Sequence, residues 1–154
     1  MQRAAAGAIC ALAIAGAAPV FAAEPEAPAG AAPAQPCPTR AGDLPVQALY
    51  GRWLVRFVDE TGEASMRLDA HPEYEGGVRG TIERGGAVAQ LAGDIADDGL
   101  LTLDESQDGR TISAVWSAEL QPSSCGRRFD GIRRDAGNDT ARHVTLRKPD
   151  VAPR

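Results

Sequence analysis

The chain has little with which to bind a metal or activate a nucleophile. It carries two histidines, His71 and His143, far apart in sequence, and three cysteines without a Cys-x-x-Cys pair. A structural zinc site needs four converging ligands, so no metal is expected. There is no Gly-x-Ser-x-Gly elbow to present a serine nucleophile. Asp94, Asp97, Asp98 and Gly99 resemble a calcium loop only until Ala96, which stands where that pattern needs an acceptor. They read as a polar hairpin turn, as do Asp104 to Gly109. No catalytic residue is assigned, no cofactor is implied, and the chain is not read as an enzyme.

A basic excess is also lacking. The 16 Lys and Arg are outnumbered by 21 Asp and Glu, for a formal net charge of −5. Nucleic-acid binding calls for a basic surface, so that class of partner is excluded. Long apolar runs are lacking too. The one candidate, Ala4 to Ala18, is shorter than the ~20 residues of a membrane-spanning helix. Arg3 precedes it, Pro19 breaks it, and Val20-Phe21-Ala22 supplies the small residues that signal peptidase accepts. Residues 1–22 therefore read as a signal peptide cleaved after Ala22 or Ala23, which places the chain in the periplasm or outside the cell.

Two cysteines remain after cleavage, Cys37 and Cys125. An even number in an oxidising compartment is expected to pair. Residues 23–42, rich in Ala and Pro, form a linker or tail without an apolar face and cannot repay an ordering cost. Asp43 to Leu49 reads as one helical turn with Asp43 as N-cap.

What is present is period-2 alternation broken by Gly and Asp turns, with almost no helix-length pattern. Strands are predicted over 52–58, 63–69, 78–84, 87–95, 100–105, 111–120, 126–133 and 142–147. Trp53, Val55 and Phe57 share one face of the first, and Ile112, Ala114, Trp116, Ala118 and Leu120 one face of the sixth. Gly85-Gly86 is a two-residue hairpin turn of the primed type. Short antiparallel strands at this spacing predict an all-β, eight-stranded up-and-down β-barrel over residues 43–149, with a C-terminal tail at 150–154. A β-sandwich is the rival. A lipid-facing barrel is not, because the outward positions hold Arg52, Arg56, Arg67, Asp69, Arg79, Glu83 and Asp94. Several inward positions are small, among them Ala64, Gly80, Ala89, Gly93 and Ala114. They leave a cavity or let strands pack closely around Trp53 and Trp116; the second reading is preferred.

The longest connection, His71 to Gly77, is the candidate binding loop, with His71, Glu73, Tyr74 and Glu75 as its functional side chains. The competing reading is a turn whose Tyr74 covers the barrel mouth.

Gly51-Arg52-Trp53 at the head of the first strand resembles the Gly-x-Trp motif of lipocalins and their calycin relatives. The resemblance implies that an Arg of the last strand packs across the Trp and plugs one end of the barrel. Arg147 is placed for that role and Arg142 is the alternative; a guanidinium on an indole face gains cation–π attraction. Within the calycins the chain is similar to the small periplasmic inhibitors of bacterial secreted metalloproteases. Those proteins carry a signal peptide, a compact barrel and an early Gly-x-Trp, and they insert an N-terminal trunk into the protease cleft. Their disulfide lies within the barrel, whereas Cys37 lies in the tail. The resemblance implies an exported monomer that binds a secreted protease or another envelope protein. A carrier of a small hydrophobic ligand and a structural envelope-stress module are the alternatives.

Overall fold

The computed structural model describes residues 36–150. The expected signal peptide, the first part of the Ala/Pro-rich tail and residues 151–154 lie outside them. Eight strands close into one antiparallel up-and-down barrel, each paired with its neighbours in chain order and β1 with β8. They are β1 (Gly51–Phe57), β2 (Ala64–Ala70), β3 (Val78–Arg84), β4 (Ala87–Ile95), β5 (Leu101–Ser106), β6 (Ile112–Leu120), β7 (Arg128–Asp135) and β8 (Ala141–Arg147). The barrel, not the sandwich, is the fold.

Alternation decides which side chains fill it. Trp53, Val55 and Phe57 of β1, Met66 and Leu68 of β2, and Leu101 and Leu103 of β5 are buried. The intervening Arg52, Arg56, Arg67 and Asp69 are exposed. No helix among the described residues is long and apolar enough to cross a membrane. At Gly85-Gly86 both residues take positive φ (57° and 83°), the primed geometry that joins β3 to β4 without splaying them.

The small inward residues have two uses. At Gly80, Gly93 and Gly131 a Cβ would run into backbone of the neighbouring strand: Arg67 O, Thr102 O and Ser117 O respectively. These glycines let the sheet coil tightly enough to close. Ala89, by contrast, borders a recess at one end.

Composition assigns residues 36–42 to the tail. Ala41 is buried in the core, within a 3-10 turn (Ala41–Asp43), so residues 36–42 belong to the folded unit. The expected turn at 43–49 is a second 3-10 turn over Val46–Leu49, with Pro45 at its N-cap position and not Asp43. Asp43 closes the first turn instead, and the intervening Pro45 has no N–H to continue a helix.

Candidate functional site

The two ends of the barrel differ. One receives the 3-10 turns and the β2–β3, β4–β5 and β6–β7 connections; the other is bounded by the β1–β2, β3–β4, β5–β6 and β7–β8 turns.

The first end is closed. Gly51 takes φ 100°, which only glycine adopts freely, and so turns the chain from the second 3-10 turn into β1. Trp53 follows, fully buried, with its indole N–H donating to the Leu49 carbonyl at 2.7 Å. Phe129 meets it edge-to-face at 5.7 Å between centroids. Trp53 thus fills this end of the barrel and Gly51 shapes the turn into it, while the cation over the indole is not Arg147. Val144 and Leu146 point inward, so alternation sends Arg147 outward, where it pairs with Glu63 at 2.9 Å. The cation over the indole is the next residue, Lys148, whose Nζ lies 5.2 Å from the ring centroid and donates to the Tyr50 carbonyl at 2.9 Å. Burial and the nearby charge of Arg127 hold the Lys148 ammonium below its ordinary pKa. Arg142 is at the far end of β8 and bonds Glu60.

Cys37 and Cys125 are bridged, and Cys125 sits in the β6–β7 connection. The disulfide therefore fastens the N-terminal segment to the closed end. The candidate loop His71, Glu73, Tyr74 and Glu75 belongs to this end as well, so Tyr74 does not cover the open mouth. The loop is held by its own residues: His71 Nδ1 accepts the backbone N–H groups of Glu73 and Tyr74, both at 3.2 Å. The His71 ring packs on Tyr74 at 4.6 Å, leaving Tyr74 67% exposed.

The second end is open and holds charges that alternation carries inside. Glu105 continues the inward row of Leu101 and Leu103; Arg133 continues that of Phe129 and Gly131. Both are buried, at 4% and 2% exposure. Arg133 grips Glu105 with two hydrogen bonds of 2.8 Å and also bonds Asp135, while the Trp116 indole N–H donates to Glu105 at 2.9 Å. Burial alone would raise the Glu105 pKa. The Arg133 hydrogen bonds and charge, the Trp116 hydrogen bond and the charge of Arg84 outweigh it and hold the carboxyl below its ordinary 4.5.

Beside this network is a recess of about 250 Å³, floored by Phe57 and Trp116 in edge-to-face contact at 5.8 Å, with Ile82, Ala87 and Ala89 along its wall. Arg84 lies across Phe57, its guanidinium carbon 4.8 Å from the ring centroid. Its Nη1 is buried without a hydrogen-bond partner. The nearest carboxylate oxygen, Glu60 Oε1, is 3.7 Å away and already accepts from Arg142 at 2.6 Å.

This end escapes a motif search because its members are single charged residues near strand ends, which read as solvated. The available signal is parity: Arg84, Glu105 and Arg133 all stand in inward register with buried apolar neighbours. Among the described residues no cluster of His, Cys, Asp or Glu is arranged to hold a metal. The acidic turns do turn work. Asp98 accepts from the Leu100 N–H, and Asp108 from those of Arg110 and Thr111. The Thr111 and Arg110 N–H groups pull the Asp108 pKa down to about 2.

Comparison with protein-family models, with curated proteins and with solved structures finds no match to this chain.

Proposed function

We propose that this chain is an exported binding protein that acts on a protein partner, in its most specific form an inhibitor of a secreted protease. The observation that carries the reading is the disulfide between Cys37 and Cys125, which fixes the start of the described chain to the closed end of a filled barrel. An export signal at residues 1–22 and a bridge formed in an oxidising compartment support the location. A Pro-rich segment fastened covalently to a rigid body loses less freedom on binding than a free tail, as an inserting trunk requires. The filled interior argues against a bulky cargo: drug-sized ligands occupy pockets of about 300–1,000 Å³, more than the recess offers.

The test compares the chain from residue 23 with one from residue 36 against the secreted metalloprotease of the same cell. Inhibition by the longer form and its loss in the shorter, with thermal stability unchanged, supports the reading. Inhibition by neither form overturns it, and equal inhibition by both removes the trunk.

A second reading, binding of a small ligand, draws on the recess at the open end. Native mass spectrometry of the purified chain detects a retained ligand directly.

A further inference from the structure

The geometry points to the open-end recess as a binding site for a monoanionic carboxylate carried on one ring-sized or branched apolar group, with Arg84 as its anchor. The inference deepens the small-ligand reading and is independent of the N-terminal segment.

Size comes first. An apolar cavity of about 150 Å³ is enough to hold a benzene ring. The recess, at about 250 Å³, takes such a group with a carboxylate attached. Shape and polarity come next. The floor is the edge-to-face pair of Phe57 and Trp116, and the wall is kept open by Ala87 and Ala89, whose side chains end at Cβ. Aromatic walls of this kind favour an aromatic or branched aliphatic guest.

Charge selects the head group. Three arginines and three carboxylates meet at this end, and they are unequally matched. Arg133 is paired with Glu105 and Asp135, and Arg142 with Glu60. Arg84 shares Glu60 only at 3.7 Å, and its Nη1 is buried without a hydrogen bond. The Arg84 side chain is 32% exposed and lines the recess, so a ligand carboxylate beside it would supply the acceptor that the guanidinium lacks. One guanidinium matches one carboxylate. The neighbouring Glu105, held ionised by Arg133, opposes a second negative charge and so disfavours a phosphate dianion. The same chemistry is offered by a free aromatic acid and by the C-terminal residue of a polypeptide.

The two indole N–H groups make the experiment local. That of Trp116 faces the recess network, and that of Trp53 is bonded to Leu49 at the closed end. The uniformly labelled chain is titrated with 3-phenylpropanoate, with its amide, and with short peptides ending in Phe as free acid or amide. Either acid should shift the Trp116 indole signal and leave that of Trp53 in place, and both amides should bind at least tenfold more weakly. Tighter binding of the peptide acid than of phenylpropanoate assigns the site to a chain terminus; the reverse assigns it to a free acid. Arg84→Met should weaken acid binding at least tenfold, and Ala89→Leu should abolish it by filling the recess. The Trp53 signal in each variant reports that the barrel is folded. Equal binding of acid and amide, undiminished binding by Arg84→Met, or no Trp116 shift at millimolar acid overturns the proposal. None of these outcomes bears on protease inhibition, so this inference and the inhibitor reading fail separately.

Discussion

Lys148 Nζ lies 5.2 Å from the centre of the Trp53 ring and holds the Tyr50 carbonyl, while Arg147 points the other way, to Glu63. The closed end is thus plugged by an indole and an ammonium. A strand whose even-numbered residues face inward makes this assignment unavoidable: after Val144 and Leu146, the next inward position is 148.

Three substitutions separate these roles. Trp53→Ala removes a buried aromatic and should cost about 3–5 kcal/mol. Lys148→Ala removes one hydrogen bond and one cation–π contact and should cost about 1–2 kcal/mol. Arg147→Ala breaks a surface pair, worth about 0–1 kcal/mol. Urea denaturation at constant m gives the order directly. An Arg147→Ala loss as large as that of Trp53→Ala would restore Arg147 to the plug.

The open end should respond to acid. In the folded chain the Glu105 carboxyl is held below its ordinary pKa, so the unfolded chain binds its proton more readily. The stability this provides is complete above about pH 4.5 and is lost as pH falls through the folded pKa. Urea midpoints should therefore drop below pH 4.5, and Glu105→Gln should flatten part of that slope while lowering stability at pH 7. A slope identical in both proteins would exclude Glu105 as a source of acid sensitivity.

Arg133 and Glu105 form a buried pair whose loss is asymmetric. Arg133→Met leaves a buried carboxylate with only Trp116 and the more distant Arg84 to offset it, and should cost about 3–5 kcal/mol. Adding Glu105→Leu to Arg133→Met removes the stranded charge and should recover part of that loss. Recovery stays incomplete because the Trp116 N–H then has no acceptor, at about 1–3 kcal/mol. A double-mutant cycle read by denaturation measures the coupling. Simple additivity of the two substitutions would show that the pair does not act as a unit.

The disulfide closes a loop of 88 residues. On the chain-entropy estimate such a bridge contributes about 4–5 kcal/mol by restricting the unfolded chain. Reduction, or Cys37→Ser with Cys125→Ser, should lower the melting temperature by more than ten degrees and expose Ala41 first, since the bridge tethers that turn to the β6–β7 connection. Hydrogen exchange in residues 38–44 reads the local part of the effect. Unchanged exchange there after reduction would mean that Ala41 holds the segment by itself.

The sequence made the barrel legible because each strand repeats one simple rule. Ala87 to Ile95 alternates between inward Ala89 and Leu91 and outward Gln90 and Ala92, and Gly85-Gly86 is the two-residue primed turn that joins it to β3. The inward position of Trp53 on β1 was legible in the alternation. The cation over its indole was missed because a family resemblance suggested arginine, although the inward parity of Val144 and Leu146 already pointed one residue further. The recess was not legible. Its depth depends on the three-dimensional meeting of Phe57, Trp116 and Arg84, from strands distant in sequence. That Arg84 Nη1 lacks a hydrogen bond depends on Arg142 having already engaged Glu60, which no single strand pattern contains.

The inward glycines give the sharpest test of how the barrel closes. At Gly80 an added Cβ would run into the carbonyl group of Arg67 and lie 3.0 Å from Leu68 Cα, all of it backbone that cannot swing aside. Gly137, in the β7–β8 turn, has nothing within 4 Å of the same atom and needs no positive φ. One methyl group is added in either case, yet the outcomes should have opposite sign. Gly137→Ala should raise stability by about 0.4–1 kcal/mol, since alanine restricts the unfolded chain. Gly80→Ala must push β2 and β3 apart and should cost at least the ~1–3 kcal/mol of an overpacked core. Thermal melts of the pair settle the matter without reference to any ligand. Were Gly80→Ala tolerated as well as Gly137→Ala, the strands would have slack at that point, and the small residues of the interior would be there to leave space. Loss at Gly80 alone, together with tolerance of a larger side chain at Ala89, would divide the small residues by purpose: glycines for closure, alanines for the recess.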